Sequence, residues 1–176
     1  MAFRPAFNAQ LATTTDAARA IVGVSVTHRG GGQGRATPML EPIEARTGVR
    51  PTELLVDGGY SNHDAIDQAT AAGVTLYAPV PKPRSKASEP PDPPIGPHQP
   101  KPGDSDAVAA WRVRMGTDDA KQIYKQRAAT AETVNADAKA HRGMAATALR
   151  GLAKVTGNAC LFALTYNILR VITMSA

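Results

Sequence analysis

Residues 53–77, ELLVDGGYSNHDAIDQATAAGVTLY, decide the fold class that the sequence predicts. Glu53–Asp57 is a short apolar run typical of a buried strand, and Val74–Tyr77 is a second such run. Between them, Asn62–Ala72 has the composition of a helix, and Asn62 can cap its first turn. A strand, a helix and a strand in this order predict a parallel β-α-β unit and therefore an α/β protein.

The residues before this unit predict a second pair of strands. Phe7–Thr13 and Ala20–Thr27 are rich in strand-forming residues, and they would pair antiparallel around a turn at Thr14–Arg19. A short helix is expected from Thr37, as its cap, to near Gly48. Together with the β-α-β unit, these strands predict a mixed sheet flanked by helices.

Three helices are expected in the C-terminal part of the chain. Asp106–Met115 places Trp111 and Met115 at helical spacing, which favours core contacts. A longer helix begins near Thr117 or Asp118, either of which could cap it. The final helix runs from about Asn158, and its apolar composition favours a buried core helix over a membrane anchor, because Thr165, Asn167 and Arg170 interrupt the apolar run.

Proline is concentrated in one segment. Ten of the fourteen prolines lie between Pro79 and Pro102, and residues 79–104 have few large apolar side chains. Such a composition predicts an extended or flexible insert, for which a plain spacer is the simplest interpretation. The chain is thereby divided into residues 1–78, the insert 79–104, and the helical residues 105–176.

Charge and cysteine content narrow the function classes. The 20 basic and 15 acidic residues give a formal net charge of +5, which suggests a polyanionic partner. The single cysteine, Cys160, excludes an internal disulfide framework and a cysteine-rich zinc site. The N-terminus has no apolar stretch typical of a signal peptide, so we expect a cytoplasmic protein without a membrane partner.

Two acids are candidates for chemistry. Asp57 follows the buried strand and precedes Gly58-Gly59-Tyr60, a position at the carboxyl end of a strand where α/β proteins bind ligands. Glu132 lies in the long helix, in the same helical sector as Tyr124, Lys139 and Arg142, with Arg127 at its edge. If the two carboxylates approach each other, they could share Mg²⁺ or Mn²⁺. Asp57 could equally be an ordinary turn residue, and Glu132 an ordinary solvated one.

A resemblance to a known protein family favours the interpretation of Asp57 and Glu132 as metal ligands. The run Val56–Ser61, followed by Tyr124, Arg127, Glu132 and Lys139, resembles the second half of bacterial insertion-sequence transposases of the DDE type, which have an RNase H-like catalytic core. The likeness includes the stretch Phe7-Asn8-Ala9-Gln10, the run His141-Arg142-Gly143 and the apolar tail from Arg150 to Asn167.

The resemblance implies roles for individual residues. In that family three carboxylates hold two metal ions, which activate a nucleophile for attack on a DNA phosphodiester. Asp57 resembles the second aspartate and Glu132 the glutamate. Tyr124, Arg127 and Lys139 match the motif that accompanies the glutamate in this family. Arg127 and Lys139, together with the neighbouring Arg142, would contact DNA phosphates. The implied function is DNA transposition through cleavage and strand transfer, with insertion-sequence ends and target DNA as partners.

The sequence departs from the family at its first catalytic aspartate. That residue normally lies on a strand upstream of the one that Phe7–Ala12 resembles, so we expect a truncated RNase H-like core without its first strand and with little activity alone. Asp16, in the turn after the first predicted strand, is a poor substitute. One alternative is a non-catalytic remnant that binds DNA or pairs with intact transposase. Another is a metal-dependent nuclease of another lineage. The protein partner to consider is a second copy of the chain or an intact transposase.

Overall fold

A computed structural model describes residues 7–28, 34, 36–81 and 96–175. The chain divides into two compact units. The first, called here the hairpin unit, takes in residues 1–31, 38–50 and 126–176. The second, called the β-α-β unit, takes in residues 32–37 and 51–125.

An antiparallel pair of strands forms the centre of the hairpin unit. Strand β1, Asn8–Thr13, pairs with strand β2, Ile21–Thr27, as the sequence predicts. The turn between them is held by Asp16, whose Oδ1 accepts hydrogen bonds from Thr14 Oγ1 at 2.6 Å and from the backbone N–H of Arg19 at 3.2 Å. The hydrogen bond from Thr14 lowers the pKa of Asp16. Asp16 therefore has a local structural role in this turn.

One face of this strand pair is covered by a short helix. A 3₁₀ turn, Thr37–Met39, leads into helix α1, Leu40–Thr47, which ends at Gly48 in the left-handed conformation with φ 71°. A Cβ at Gly23 would lie 2.8 Å from Met39 Sδ, so glycine is needed for this close packing. The predicted capping role of Thr37 is wrong, because its buried Oγ1 has no hydrogen-bond partner in the structure.

Residues on the other face of the strands belong to a core that two helices complete. Because neighbouring strand residues point to opposite faces, Val24 points away from Gly23 and α1. It packs into an apolar cluster with helix α5, Thr133–His141, and helix α6, Leu152–Ser175. The buried members of this cluster are Ile21, Val24, Val134, Ala138, Ala159, Phe162 and Ala163.

Helix α6 differs from the sequence prediction in two respects. It begins at Leu152, earlier than the expected Asn158, and it is buried along one face only. The buried face packs on β2, and the Asn167 side chain accepts from the Ile21 N–H at 2.8 Å and donates to the Ile21 carbonyl at 2.9 Å. Among the described residues, α6 is the one helix whose length and composition would suffice to cross a membrane.

The β-α-β unit contains the parallel arrangement that the sequence predicts. Strand β3, Glu53–Leu55, pairs parallel with strand β4, Thr75–Tyr77. Helix α2, His63–Ala71, connects them, and its cap is Asn62, whose Oδ1 accepts from the backbone N–H of Ala65 at 2.8 Å. The α/β class is therefore confirmed.

The expectation of one mixed sheet is wrong for the described residues. The antiparallel pair β1-β2 and the parallel pair β3-β4 are two separate two-stranded sheets. A mixed sheet requires a strand that hydrogen-bonds to a member of each pair, and no strand in the described part of the chain does so.

Helix α3, Asp106–Gly116, packs on α2 and β4 within the β-α-β unit. Trp111 is buried, and its Nε1 donates to the carbonyl of Ala78 at 3.2 Å. The next helix, α4, covers Asp118–Arg127, and Thr117 caps it by accepting from the N–H of Ala120. A π-helical turn, Ala128–Glu132, joins α4 to α5.

Part of the proline-rich insert packs on α3. Residues 82–95 of the predicted insert 79–104 lie outside the described residues. Residues 96–104 form turns, in which the N–H of Asp104 donates to the carbonyl of Lys101. A Cβ at Gly116 would lie 2.9 Å from the Cβ of His98, so this segment approaches the end of α3 closely.

The contact between Asn167 and Ile21 provides a test of the hairpin unit. Replacing Asn167 with Ala would leave the N–H and carbonyl of Ile21 without these partners in a partly buried setting. We expect a loss of about 2 kcal/mol in the free energy of unfolding. Thermal and urea denaturation followed by circular dichroism measures this loss. As a control, Thr173→Ala removes a hydroxyl that bonds only within its own exposed helix turn and should change little. Equal stability of the two variants would contradict the assigned role of Asn167.

Candidate active site and its neighbouring cleft

Asp57 lies at the carboxyl end of β3, as the sequence predicts. The N–H of Val56 still donates to the carbonyl of Tyr77 on β4, at 2.9 Å, and the chain then leaves the sheet. The Asp57 side chain is exposed and its Oδ1 accepts from the N–H of Gly58 at 2.7 Å. The N–H of Tyr60 donates to the Asp57 carbonyl at 2.9 Å, closing a tight turn. The turn holds the carboxylate at the edge of the sheet, in a position accessible to a ligand.

The glycine after Asp57 is needed for this geometry. A Cβ at Gly58 would lie 3.2 Å from Cγ of Pro79, which follows β4. This spacing is tighter than ordinary contacts between such atoms, so a larger residue would push the two loops apart. The Asp-Gly dipeptide that reads as a turn signal in the sequence also permits close approach of the loops after β3 and β4.

A cleft next to this turn contains residues that the sequence interpretation did not select. Its volume is about 470 Å³. It is lined at the start of α2 by Ser61, Asn62 and His63, and on the other side by Pro81, Lys101, Trp111 and Arg112. The polar lining groups come from three separate stretches of chain, which is why no local sequence pattern identified them.

Arg112, which lines the cleft, belongs to a buried ion pair. Arg112 Nε lies 2.7 Å from Asp104 Oδ2, and Arg112 Nη2 lies 3.2 Å from Asp104 Oδ1, so the pair is bidentate. The two side chains are only 8% and 4% exposed. The hydrogen bond from Arg112 lowers the pKa of Asp104. His63 Nε2 lies 3.3 Å from Arg112 Nη2, so the ion pair also contacts the first residue of α2.

Glu132 lies in the π-helical turn, a feature that the sequence did not predict. Hydrogen bonding in a π-helix follows i to i+5 spacing, and such turns are frequent at functional sites. Arg127 and Glu132 are five residues apart, and Arg127 Nη1 lies 2.7 Å from Glu132 Oε1. The predicted helical sector assumed an ideal α-helix. The π-turn adds a residue between Tyr124 and Glu132. The predicted sector therefore does not continue unchanged from one residue to the other.

The remaining predicted site residues lie on α4 and α5 or just beyond. Tyr124 is half-buried, and Lys139 is exposed. Arg142 follows α5, and its Nε lies 3.5 Å from Asp137 Oδ2. Arg127 is less exposed than Arg142, with 21% of its side chain accessible against 44%. Of these predicted site residues, the structure shows Arg127 in contact with Glu132 and Arg142 beside Asp137.

The two acids suit a metal by their chemistry, since Mg²⁺ and Mn²⁺ prefer carboxylate oxygens. Asp57 belongs to the β-α-β unit and Glu132 to the hairpin unit. No group of three or more histidine, cysteine, aspartate or glutamate side chains that could hold a metal occurs in the described part of the chain.

Comparison with known proteins identifies one family. Residues 99–172 match the family model described as the transposase DDE domain. The matched stretch is somewhat less than half of the chain. It includes Tyr124, Arg127, Glu132, Lys139 and Arg142, whereas Asp57 lies outside it. Neither the curated proteins nor the solved structures provide a match.

The buried ion pair beside the cleft yields a stability prediction. Asp104→Asn would leave Arg112 as an unpaired buried cation, so we expect a loss of about 3 kcal/mol in the free energy of unfolding at neutral pH. Because the folded-state pKa of Asp104 is below its ordinary value of 3.8, its contribution is complete above that value and is lost as the pH falls through the lowered pKa.

Urea denaturation of wild type and variant between neutral and acid pH measures both effects. The difference between the two proteins should shrink in the acid range. Asp118→Asn is the matched control, because Asp118 pairs with Lys121 in solvent and is 94% exposed. We expect no measurable change for it. A loss at Asp104 no larger than at Asp118 would contradict the importance of the buried pair.

Proposed function

We propose that the chain acts in DNA transposition as the part of a DDE-type core that supplies its second aspartate and its glutamate, because residues 99–172 match the family model of the transposase DDE domain. The observation that carries the proposal is the family match over the helices around Glu132. In the same stretch a π-turn, which is uncommon in helices, places Arg127 against the carboxylate. A local departure from helical geometry at the proposed catalytic acid is typical of a functional site.

Asp57 is proposed as the second aspartate. Its motif resembles the family, and its exposed carboxylate lies just after β3, at the carboxyl end of a parallel strand. Gly58 and the backbone of Tyr60 hold the turn, so the side chain is positioned by the sheet rather than by a loose loop.

The proposed cofactor is Mg²⁺, with Mn²⁺ as a substitute. When bound, it would lower the pKa of a water or 3′-hydroxyl nucleophile and offset charge on the DNA phosphate. Asp57 and Glu132 are the residues that would hold it. Arg127, by its contact with Glu132 Oε1, would orient that carboxylate and limit its rotation. The resemblance assigns two of the family's three carboxylates, Asp57 and Glu132, so we expect little activity from this chain alone.

DNA is the proposed partner of the basic residues on α4, on α5 and just after α5. The formal net charge of +5 favours binding of a polyanion. Tyr124, Arg127, Lys139 and Arg142 are proposed as the contacts, and exposed Lys139 and Arg142 are accessible to a phosphate backbone. Arg127 and Arg142 already have carboxylate neighbours, so DNA binding would compete with Glu132 and Asp137 for them.

We further propose that the chain has an RNase H-like core. The support is the element order, in which an antiparallel pair precedes a parallel β-α-β unit and a helix bearing the glutamate.

A non-catalytic DNA-binding or transposase-pairing remnant is the second candidate. It is favoured by the contact between Glu132 and Arg127, since a carboxylate engaged by a guanidinium is a weaker metal ligand. In this case the basic groups would bind DNA, while Asp57 and Glu132 would have no chemical role. The two candidates differ in whether the chain cleaves DNA with a metal.

Metal-dependent cleavage tests the first candidate. The full chain should nick supercoiled DNA slowly with Mg²⁺ or Mn²⁺, and Asp57→Asn and Glu132→Gln should each lower the rate at least tenfold because each removes a metal-binding charge. The matched control is Asp64→Asn, an exposed acid in the first turn of α2. Equal loss in the control, or no cleavage by the wild type together with salt-sensitive DNA binding, would favour the remnant.

DNA binding is tested by its salt dependence. A variant in which one cation no longer touches a phosphate should show a slope of log K against log salt that is smaller by roughly one. We expect this change for Lys139→Gln and for Arg142→Gln, measured by fluorescence anisotropy with a duplex oligonucleotide. Arg50→Gln is the control, because Arg50 is exposed and already paired with Glu44. An unchanged slope in both test variants would exclude these residues as phosphate contacts.

A further inference from the structure

The cleft beside the Asp57 turn has a one-sided charge. Among the described residues that line it, three are basic, His63, Lys101 and Arg112, and none is acidic. Its volume of about 470 Å³ lies within the range of small-molecule sites, roughly 300–1,000 Å³. Basic side chains that converge on a concave surface attract anions, so the lining favours an anionic ligand.

Arg112 is held in a fixed orientation at this cleft. Its side chain is only 8% exposed, and its Nε and Nη2 bind the two carboxylate oxygens of Asp104. The carboxylate compensates the guanidinium charge, which allows the arginine to remain buried without a ligand. Nη1 takes no part in this pair. A planar guanidinium that is fixed in this way presents hydrogen-bond donors in a set direction, the arrangement that oxyanions require.

Lys101 supplies charge that Asp104 does not compensate. The backbone N–H of Lys101 donates to Asp104 Oδ2 at 2.8 Å, which places this residue next to Arg112. In the part of the chain that the structure describes, the ammonium group of Lys101 forms no ion pair. An anion in the cleft would therefore gain the attraction of this ammonium group in full.

The start of α2 forms the opposite side of the cleft. Ser61, Asn62 and His63 line it there, and His63 Nε2 lies 3.3 Å from Arg112 Nη2. The first turn of a helix has backbone N–H groups without helical partners and carries the positive end of the helix dipole. This side therefore adds hydrogen-bond donors to those of Arg112 and Lys101.

We propose that the cleft binds a phosphate group, with Lys101 supplying the charge and Arg112 and the start of α2 supplying hydrogen-bond donors. The donors come from separate stretches of chain on different sides of the cleft. A phosphate group has three acceptor oxygens arranged around one atom, whereas the two oxygens of a carboxylate lie in one plane. The surrounding donors therefore fit a phosphate group better.

The phosphate group has two possible sources. One is a small phosphorylated molecule that enters the cleft by itself. The other is the backbone of a DNA strand bound next to Asp57, and this second source rests on the proposed function. In either case Lys101 lies on a different unit from Lys139 and Arg142, so the site is separate from the DNA contacts proposed on α5 and after it.

Nuclear magnetic resonance of the ¹⁵N-labelled full chain tests the site with inorganic phosphate, at an ionic strength held constant with chloride. We expect saturable shifts of the N–H signals of His63, Lys101 and the Trp111 indole. Lys101→Gln should raise the half-saturating phosphate concentration about tenfold or more, because it removes a hydrogen bond between two charged groups. The fold should be kept, since the structural bond of Lys101 comes from its backbone.

The matched control is Lys121→Gln. Lys121 is a half-exposed lysine of α4 that pairs with Asp118 and does not line the cleft. This variant has the same change in net charge as Lys101→Gln, and it should titrate with phosphate like the wild type.

A second arm distinguishes the two sources. Binding of a duplex oligonucleotide without metal is measured by fluorescence anisotropy as a function of salt. If DNA supplies the phosphate, Lys101→Gln lowers the slope of log K against log salt by roughly one, and Lys121→Gln does not. If a small molecule supplies it, Lys101→Gln weakens phosphate binding and leaves the DNA slope unchanged.

The site is overturned if Lys101→Gln behaves like Lys121→Gln in both arms, whether or not the wild type responds to phosphate. The phosphate arm uses neither DNA nor metal. Its failure is therefore distinguishable from failure of the proposed cleavage chemistry, which depends on Asp57 and Glu132.

Discussion

The hairpin unit depends on the contact of α6 with the first residue of β2. Asn167 satisfies both backbone groups of Ile21, although the two residues lie 146 positions apart in the chain. The bond fixes the rotation of α6, because the amide must point at the strand while Phe162 enters the core. The same rotation leaves apolar side chains such as Leu164 and Ile168 exposed on the other side of α6. Burial of one face and exposure of the other thus have a common cause, a polar side chain that can be satisfied in only one orientation.

The π-turn has a comparable effect on the proposed catalytic acid. Its extra residue sets the rotation of α5, so that Val134 and Ala138 enter the core while Glu132 remains exposed beside Arg127. In an uninterrupted α-helix, residues five apart would not share a face. The carboxylate is therefore positioned by a departure from regular structure. Arg127 Nη1 lies 2.7 Å from this carboxylate.

The β-α-β unit was the most predictable part of the fold. The short apolar runs identified both strands, and the capping signal identified the start of α2. Asn62 caps that helix as expected. The position of Asp57 followed from the strand boundary alone. By contrast, the cleft beside it was not predictable, because Lys101, His63 and Arg112 come together only through long-range packing. The Arg112 and Asp104 pair carries no sequence signal, since opposite charges eight residues apart are common in any helical protein.

The sequence by itself determined the strands, most helices, the α/β class and the resemblance that the family match confirms over residues 99–172. These features follow from local periodicity, capping and short motifs, which need no knowledge of distant contacts. Only the tertiary structure decided that the strands form two separate pairs, that Glu132 lies in a π-turn, and which face of α6 is buried. The physical reason is that strand partners, helix irregularities and helix rotation are set by packing and hydrogen bonds between residues far apart in the chain.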